Sequence, residues 1–383
     1  MNIAFICTES LPSPAIRGGA IQTMIDGVAP YLTNNHDLTI FSVSDPALAD
    51  EDRREGIRYI RVRRDTFTSD ICEHLSANSF DLIHVFNRPA HAAEYKAASP
   101  GSCIVLGMHN EMLHEKKISE PNGRRAVETS DGIAAISHYI KKTIVRRFPS
   151  AERKIDVVYS GVDLAQYPPV WSDEGLRIRA EARSKFGLTA NKVLLFAGRL
   201  SKNKGVDKLI RAMPAILRKH PDAVLVVAGG KWFSDNSKTD YIRSLHRLAE
   251  PLKERVIFTE YVPQENMPEL FLAADVFVCT SQWPEPLARV HYEAMAAGTP
   301  VITTNRGGNG EAVLHEQNGL LIDAYDRPAA FVSPVHRILK ERSFARWMAK
   351  NGRTMVELNF QFSHTAERLE RLYRRVTKNE PGE

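Results

Sequence analysis

The sequence predicts an α/β protein of two doubly wound, Rossmann-like domains. Its 383 residues suffice for two domains, each with its own core. Short β-branched runs alternate with longer amphipathic segments, and the series occurs twice. A content of 43% hydrophobic and 25% charged residues is that of a globular chain, which excludes collagen-like, disordered and low-complexity classes.

The first series runs through Ile3 to Cys7, Leu38 to Val43, Leu82 to Phe86, Cys103 to Met108, Ile133 to Ile136 and Val157 to Tyr159. The second runs through Val193 to Ala197, Val224 to Ala228, Val256 to Phe258, Val276 to Cys279, Val301 to Thr303 and Leu320 to Ile322. Such apolar runs read as buried parallel strands. Tyr167-Pro168-Pro169-Val170-Trp171-Ser172 continues neither element type, so the hinge is expected near residue 170, between domains 1–170 and 171–383. The tail from Phe331 to Thr377 is helical by pattern, and the last six residues read as frayed.

The opening MNIAFICTES passes from Met into an apolar run without a basic lead or cleavage site, so it reads as a first strand and not a signal peptide. No apolar run reaches the roughly 18 residues that span a bilayer. A cytoplasmic protein is expected. Cys7, Cys72, Cys103 and Cys279 are far apart, which suits reduced thiols and neither a zinc site nor an oxidising compartment. Residues after 170 hold 32 Lys and Arg against 25 Asp and Glu, so the second half is the basic one and suits an anionic ligand such as a nucleotide. No nucleic acid is implied. Two domains of this class are expected to leave a ligand cleft at the carboxyl ends of their strands.

Three segments carry the chemistry. Gly18 and Gly19 lie in Arg17-Gly18-Gly19-Ala20, between the opening strand and a helix; a glycine pair there lets backbone N–H groups approach an anion or sugar, or simply makes a turn. Gly198-Arg199-Leu200-Ser201-Lys202-Asn203-Lys204-Gly205 follows the first strand of the second domain, where Arg199 and Lys204 can converge on a phosphate pair, though the order is not that of a Walker loop. In Glu285-Pro286-Leu287-Ala288-Arg289-Val290-His291-Tyr292-Glu293, Glu285 precedes a helix and Glu293 is placed two turns inside it; carboxylates so placed accept hydrogen bonds from sugar or ribose hydroxyls.

Together with Ser160-Gly161-Val162-Asp163 and Arg306-Gly307-Gly308-Asn309-Gly310-Glu311, these segments resemble the family-4 retaining glycosyltransferases of GT-B fold. EPLARVHYEAMAAG, NRGGN and TESLPSPAIRGGAIQ narrow the resemblance to the spore-coat glycosyltransferase-like proteins of endospore-forming bacteria. The resemblance implies a nucleotide-sugar donor, with a UDP-sugar favoured by family frequency, and a glycan, lipid or protein acceptor of the spore coat or cell envelope. It implies hexosyl or N-acetylhexosaminyl transfer with no cofactor besides the donor substrate. It gives Arg199 and Lys204 the donor pyrophosphate, Glu285 the donor sugar and Glu293 the ribose. Gly18 and Gly19 then approach the phosphate and acceptor side, His109 faces the transferred sugar, and nucleobase contacts come from backbone near Gly229 and Val262. The family often has Phe-Gly after the first acid; here Leu287-Ala288-Arg289 follows, so Leu287 and Ala288 offer their amides to the donor and Arg289 could add a cation. His291 could face either the core or the donor.

Asp50-Glu51-Asp52 is the one match to a metal-holding DxD pattern, and its polar setting reads as a solvated loop, so metal independence is expected. The basic stretch 116–154, with Ile140, Ile144, Val145 and Phe148 on one side of a helix, could make a weak peripheral contact with an anionic surface or could pack that side on the sheet. Two competing readings stand beside transfer: a nucleotide-sugar epimerase, and a structural coat component that keeps the fold without turnover, with the spore coat as its location. Lys204→Ala is expected to abolish nucleotide-diphosphate binding with little effect on folding, because a loop cation contributes little to a core.

Overall fold

The computed structural model describes residues 1–232 and 234–377. The frayed ending expected for the last six residues lies outside them. The chain forms two compact units, one of Met1–Gly161 with Phe362–Glu383 and one of Val162–Gln361.

The first unit holds an eight-stranded sheet of β1 (Asn2–Ile6), β2 (Asp37–Val43), β3 (Glu51–Arg54), β4 (Ile57–Val62), β5 (Leu82–Phe86), β6 (Cys103–Met108), β7 (Gly132–Ala135) and β8 (Ile155–Val157). Their order is β3-β4-β2-β1-β5-β6-β7-β8, parallel throughout except for β3 against β4. The second unit holds β9 (Lys192–Ala197), β10 (Ala223–Ala228), β11 (Val256–Glu260), β12 (Val276–Cys279), β13 (Val301–Thr304) and β14 (Leu320–Ile322), all parallel in the order β11-β10-β9-β12-β13-β14. That order reverses between β9 and β12, and ligands of such sheets bind beyond the strand ends at the reversal. In the first unit the reversal lies between β1 and β5.

All twelve expected runs carry strand, the sixth shifted back to Ile155–Val157. β3 and β4 were not expected, because arginines interrupt their apolar pattern; Arg61 is buried in β4, where it bonds the carbonyl of Ser13 at 2.9 Å and Asp52 at 3.1 Å. This also corrects the Asp50-Glu51-Asp52 reading: the segment enters an edge strand instead of a loop, and Asp52 is taken by Arg54 and Arg61.

Both domain borders differ from the sequence expectation. The Pro168-Pro169 segment is no hinge, since the Val170 N–H bonds the Ala297 carbonyl at 2.9 Å, Trp171 packs over Gly298 and Ser172 caps the helix Asp173–Lys185, all within the second unit. The helix Phe362–Thr377 belongs to the first unit. It buries Phe362, Leu369, Leu372, Tyr373 and Val376 in the first core, and the Tyr373 hydroxyl meets His84 Nδ1 at 2.6 Å. An amphipathic stripe shows that a helix packs without saying on which sheet. The basic helix His138–Arg147 buries Ile140 and Ile144, and the following Phe148 is buried against Gly123. The packed alternative therefore holds there, and the surface of 116–154 keeps its charge without that apolar side. All four cysteines are free, with Cys7 and Cys279 buried. No described helix is long and apolar enough to cross a membrane.

Candidate active site

In the second unit, the loop after β9 and the loop after β12 leave the two strands that flank the reversal of strand order. They are laced together by backbone: the Gln282 N–H donates to the Asn203 carbonyl at 2.7 Å, and the Thr280 hydroxyl to the Lys204 carbonyl at 2.7 Å. Gln282 Nε2 adds bonds to the Thr280 and Tyr325 carbonyls at 2.7 and 2.8 Å, which brings in the loop after β14.

Into this frame Lys204 and Glu285 project as a direct ion pair, and the Ser281 hydroxyl donates to the same carboxylate oxygen. Glu285 is only 3% exposed. Burial by itself would raise its pKa, but the Lys204 charge, with hydrogen bonds from Lys204 and Ser281, outweighs that and holds the carboxyl below its ordinary value. Its backbone is clasped by the loop after β13: the Gly308 N–H donates to the Glu285 carbonyl at 2.7 Å. Gly307 takes φ 61° there, and a Cβ on it would stand 2.1 Å from that carbonyl oxygen, so the clasp needs glycine.

Arg199, half-buried, lies with its guanidinium carbon 4.4 Å from the Trp232 ring centroid, a cation–π stack. Burial lowers its pKa, opposed by the Glu285 charge. Leu287 and Ala288 are buried in the segment entering the helix Val290–Ala296. Glu293 sits in the first turn of that helix, not two turns in, and pairs with Arg289 at 3.4 Å. Burial raises the Glu293 carboxyl above its ordinary value, with Arg289 opposing. Arg289 thus serves Glu293. His291 takes the core alternative: fully buried, it meets the Thr303 hydroxyl at 3.0 Å, and burial pushes its pKa down to about 4. A small open recess beside the ends of β10 and β11 is lined by Leu200, Gly229, Gly230, Phe258 and Glu260.

In the first unit, Gly18 and Gly19 have φ of 79° and 113°, and Gly19 precedes the helix Ala20–Leu32. The preceding loop is held by Asp26, which accepts from the Ala15 N–H at 2.7 Å and from the Ser13 hydroxyl at 3.3 Å. His109 follows β6, its N–H donating to Asn87 Oδ1 at 2.8 Å. Glu9 and Arg88, beyond the ends of β1 and β5, form a two-pronged ion pair at 2.6 and 2.7 Å. Sequence reading missed Ser281 and Gln282; their available signal is a run of hydroxyl and amide residues immediately after an apolar strand.

Residues 18–166 match the family described as Glycosyltransferase Family 4, and residues 178–355 match Glycosyl transferases group 1. The chain is 53% identical to YtcC of Bacillus subtilis (strain 168) over 98% of its length and 92% of that protein's. It is 43% identical to Spore coat protein SA of the same strain, covering 97% of this chain and 99% of the other. Among solved structures, Anabaena HepE in complex with UDP and glucose superposes with a TM-score of 0.80 at 20% identity, covering 96% and 98% of the two chains. Sucrose-phosphate synthase from Thermosynechococcus elongatus reaches 0.82 at 22%, covering 99% and 100%. The two parallel α/β units are those of the GT-B fold, and the chain belongs to glycosyltransferase family 4, on its spore-coat-like branch.

Proposed function

We propose that this glycosyltransferase is a retaining, metal-independent enzyme that moves a hexosyl or N-acetylhexosaminyl group from a nucleotide-sugar, most simply a UDP-sugar, to a spore-coat or cell-envelope acceptor. The observation that carries the donor half is the Lys204–Glu285 pair, locked by Ser281 next to Arg199 at the switch point of the second sheet. Two cations and a buried, ionised acid beyond those strand ends suit a pyrophosphate and a sugar hydroxyl.

In a retaining transfer the acceptor oxygen attacks on the face from which the nucleoside diphosphate leaves, and negative charge grows on the leaving phosphate. Arg199 and Lys204 are placed to meet that charge, and loss of one such contact costs on the order of 100-fold in turnover. The departing phosphate oxygen takes the acceptor proton, so no side-chain base is needed. Glu293 holds the ribose, and the base lies toward the recess beside Gly229. For the first unit, the family resemblance assigns Gly18 and Gly19 to the phosphate and acceptor side and His109 to the transferred sugar. The complex of HepE with UDP and glucose supports a nucleotide-sugar donor through likeness of fold.

A second reading is favoured by the 43% identity to a spore coat protein: a coat component without turnover. Cytoplasm suits the first reading and the spore coat the second. Calorimetric titration with UDP, GDP and ADP in the presence of a chelator separates them. Micromolar binding of one identifies the donor base and supports metal independence; if none binds with or without magnesium, the transferase reading falls.

A further inference from the structure

We propose that Arg306 is a third cation of the donor site and grips an anionic oxygen group of the donor. The inference rests on the donor reading above and goes beyond it, since no role was assigned to Arg306.

The first observation is charge balance. Lys204 is already matched by Glu285, and Arg199 lies over Trp232. The Arg306 side chain makes no ion pair or hydrogen bond among the described residues, and its Nε is buried without an acceptor. Its guanidinium carbon stacks 4.2 Å from the Tyr325 ring centroid, which orients the planar fork without neutralising it. A cation held in one orientation with an unanswered buried donor is completed by an oxygen anion, which supplies both the charge and the acceptor.

The second observation is position. Arg306 begins the turn whose Gly307 and Gly308 clasp the Glu285 backbone. The carbonyl of its stacking partner Tyr325 accepts from Gln282, whose own N–H holds Asn203, the neighbour of Lys204. Arg306 therefore stands in a ring of loops leaving β9, β12, β13 and β14, all at strand carboxyl ends. A phosphate oxygen and a sugar carboxylate share the chemistry that this fork would bind.

The test is calorimetry on the full chain and its R306Q and R306K variants. The ligands are UDP, GDP and ADP, their nucleotide-hexoses and nucleotide-hexuronates, and the parent nucleosides. R306Q should weaken an anionic ligand about 10-fold or more, leave nucleoside affinity unchanged and be partly restored in R306K. A loss shared by the diphosphate and both sugar nucleotides assigns the group to the pyrophosphate; a loss confined to the hexuronate assigns it to the sugar. If R306Q binds every ligand as the parent does, or weakens nucleosides equally with no recovery in R306K, the proposal is overturned while the donor site stands. If the parent chain binds no nucleotide at all, both readings fall together.

Discussion

One carboxylate oxygen of Glu285 receives both the Lys204 ammonium and the Ser281 hydroxyl, so the acid is ionised and held in place before any ligand arrives. Two loops that are 81 residues apart in sequence are thereby joined by charge as well as by backbone.

Lys204→Ala consequently does more than weaken nucleotide-diphosphate binding. The sequence alone implied little change in folding, but removal of the ammonium leaves a buried carboxylate without its counter-charge, at a cost of about 3 kcal/mol. Adding Glu285→Gln should recover most of it. Urea denaturation at pH 7, with hydrogen exchange followed in residues 162–361, reads the difference. Because the folded carboxyl lies below its ordinary value of 4.5, the stabilisation is complete above that pH and is lost as pH falls through the lowered value. Equal stability of parent and K204A at pH 7 would remove the coupling.

Glu293→Ala should weaken the nucleoside and the nucleotide-sugar alike, by roughly 10-fold, because a ribose contact is common to both. Calorimetry with the two ligands checks it. A loss seen only with the nucleotide-sugar means that the sugar and ribose roles of Glu285 and Glu293 are exchanged.

Gly307→Ala should destabilise the second unit by about 2 kcal/mol or more and displace Glu285, since the added Cβ would stand 2.1 Å from the Glu285 carbonyl oxygen. Gly56→Ala is the control: its φ is 81° with open space around the Cβ, so only the backbone cost of about 1 kcal/mol applies and nucleotide affinity stays unchanged. Comparable losses of affinity in both variants would detach the Gly307 turn from the site.

Asp26→Asn should flatten the pH dependence of the first unit. Burial pushes the Asp26 carboxyl from 3.8 up to about 6, against hydrogen bonds from the Ala15 N–H and the Ser13 hydroxyl. A folded value above the unfolded one favours the folded state fully below about 3.8, and that advantage is lost as pH rises through about 6. Thermal melts of parent and D26N between pH 4 and 7 should therefore diverge across this window. Parallel curves would mean that the carboxyl titrates alike in the folded and unfolded chain.

The sequence by itself determined the two α/β sheets, the twelve apolar strands and the family, because buried parallel strands are continuous apolar runs and the loops that follow them carry short, ordered motifs. It also placed Arg199, Lys204 and Glu285 after the strands that flank the switch point. Only the tertiary structure decided the rest. Arg61 could be buried in β4 because the Ser13 carbonyl, 48 residues away, and Asp52 on the neighbouring strand β3 meet its guanidinium there. The Pro168-Pro169 segment was tied into the second unit by Ala297 and Gly298, and the last described helix found its cover on the first sheet through Tyr373 and His84. Which acid meets Lys204, which cation serves Glu293 and which is left unpaired at Arg306 follow from contacts between loops, and periodicity along a chain carries no record of them.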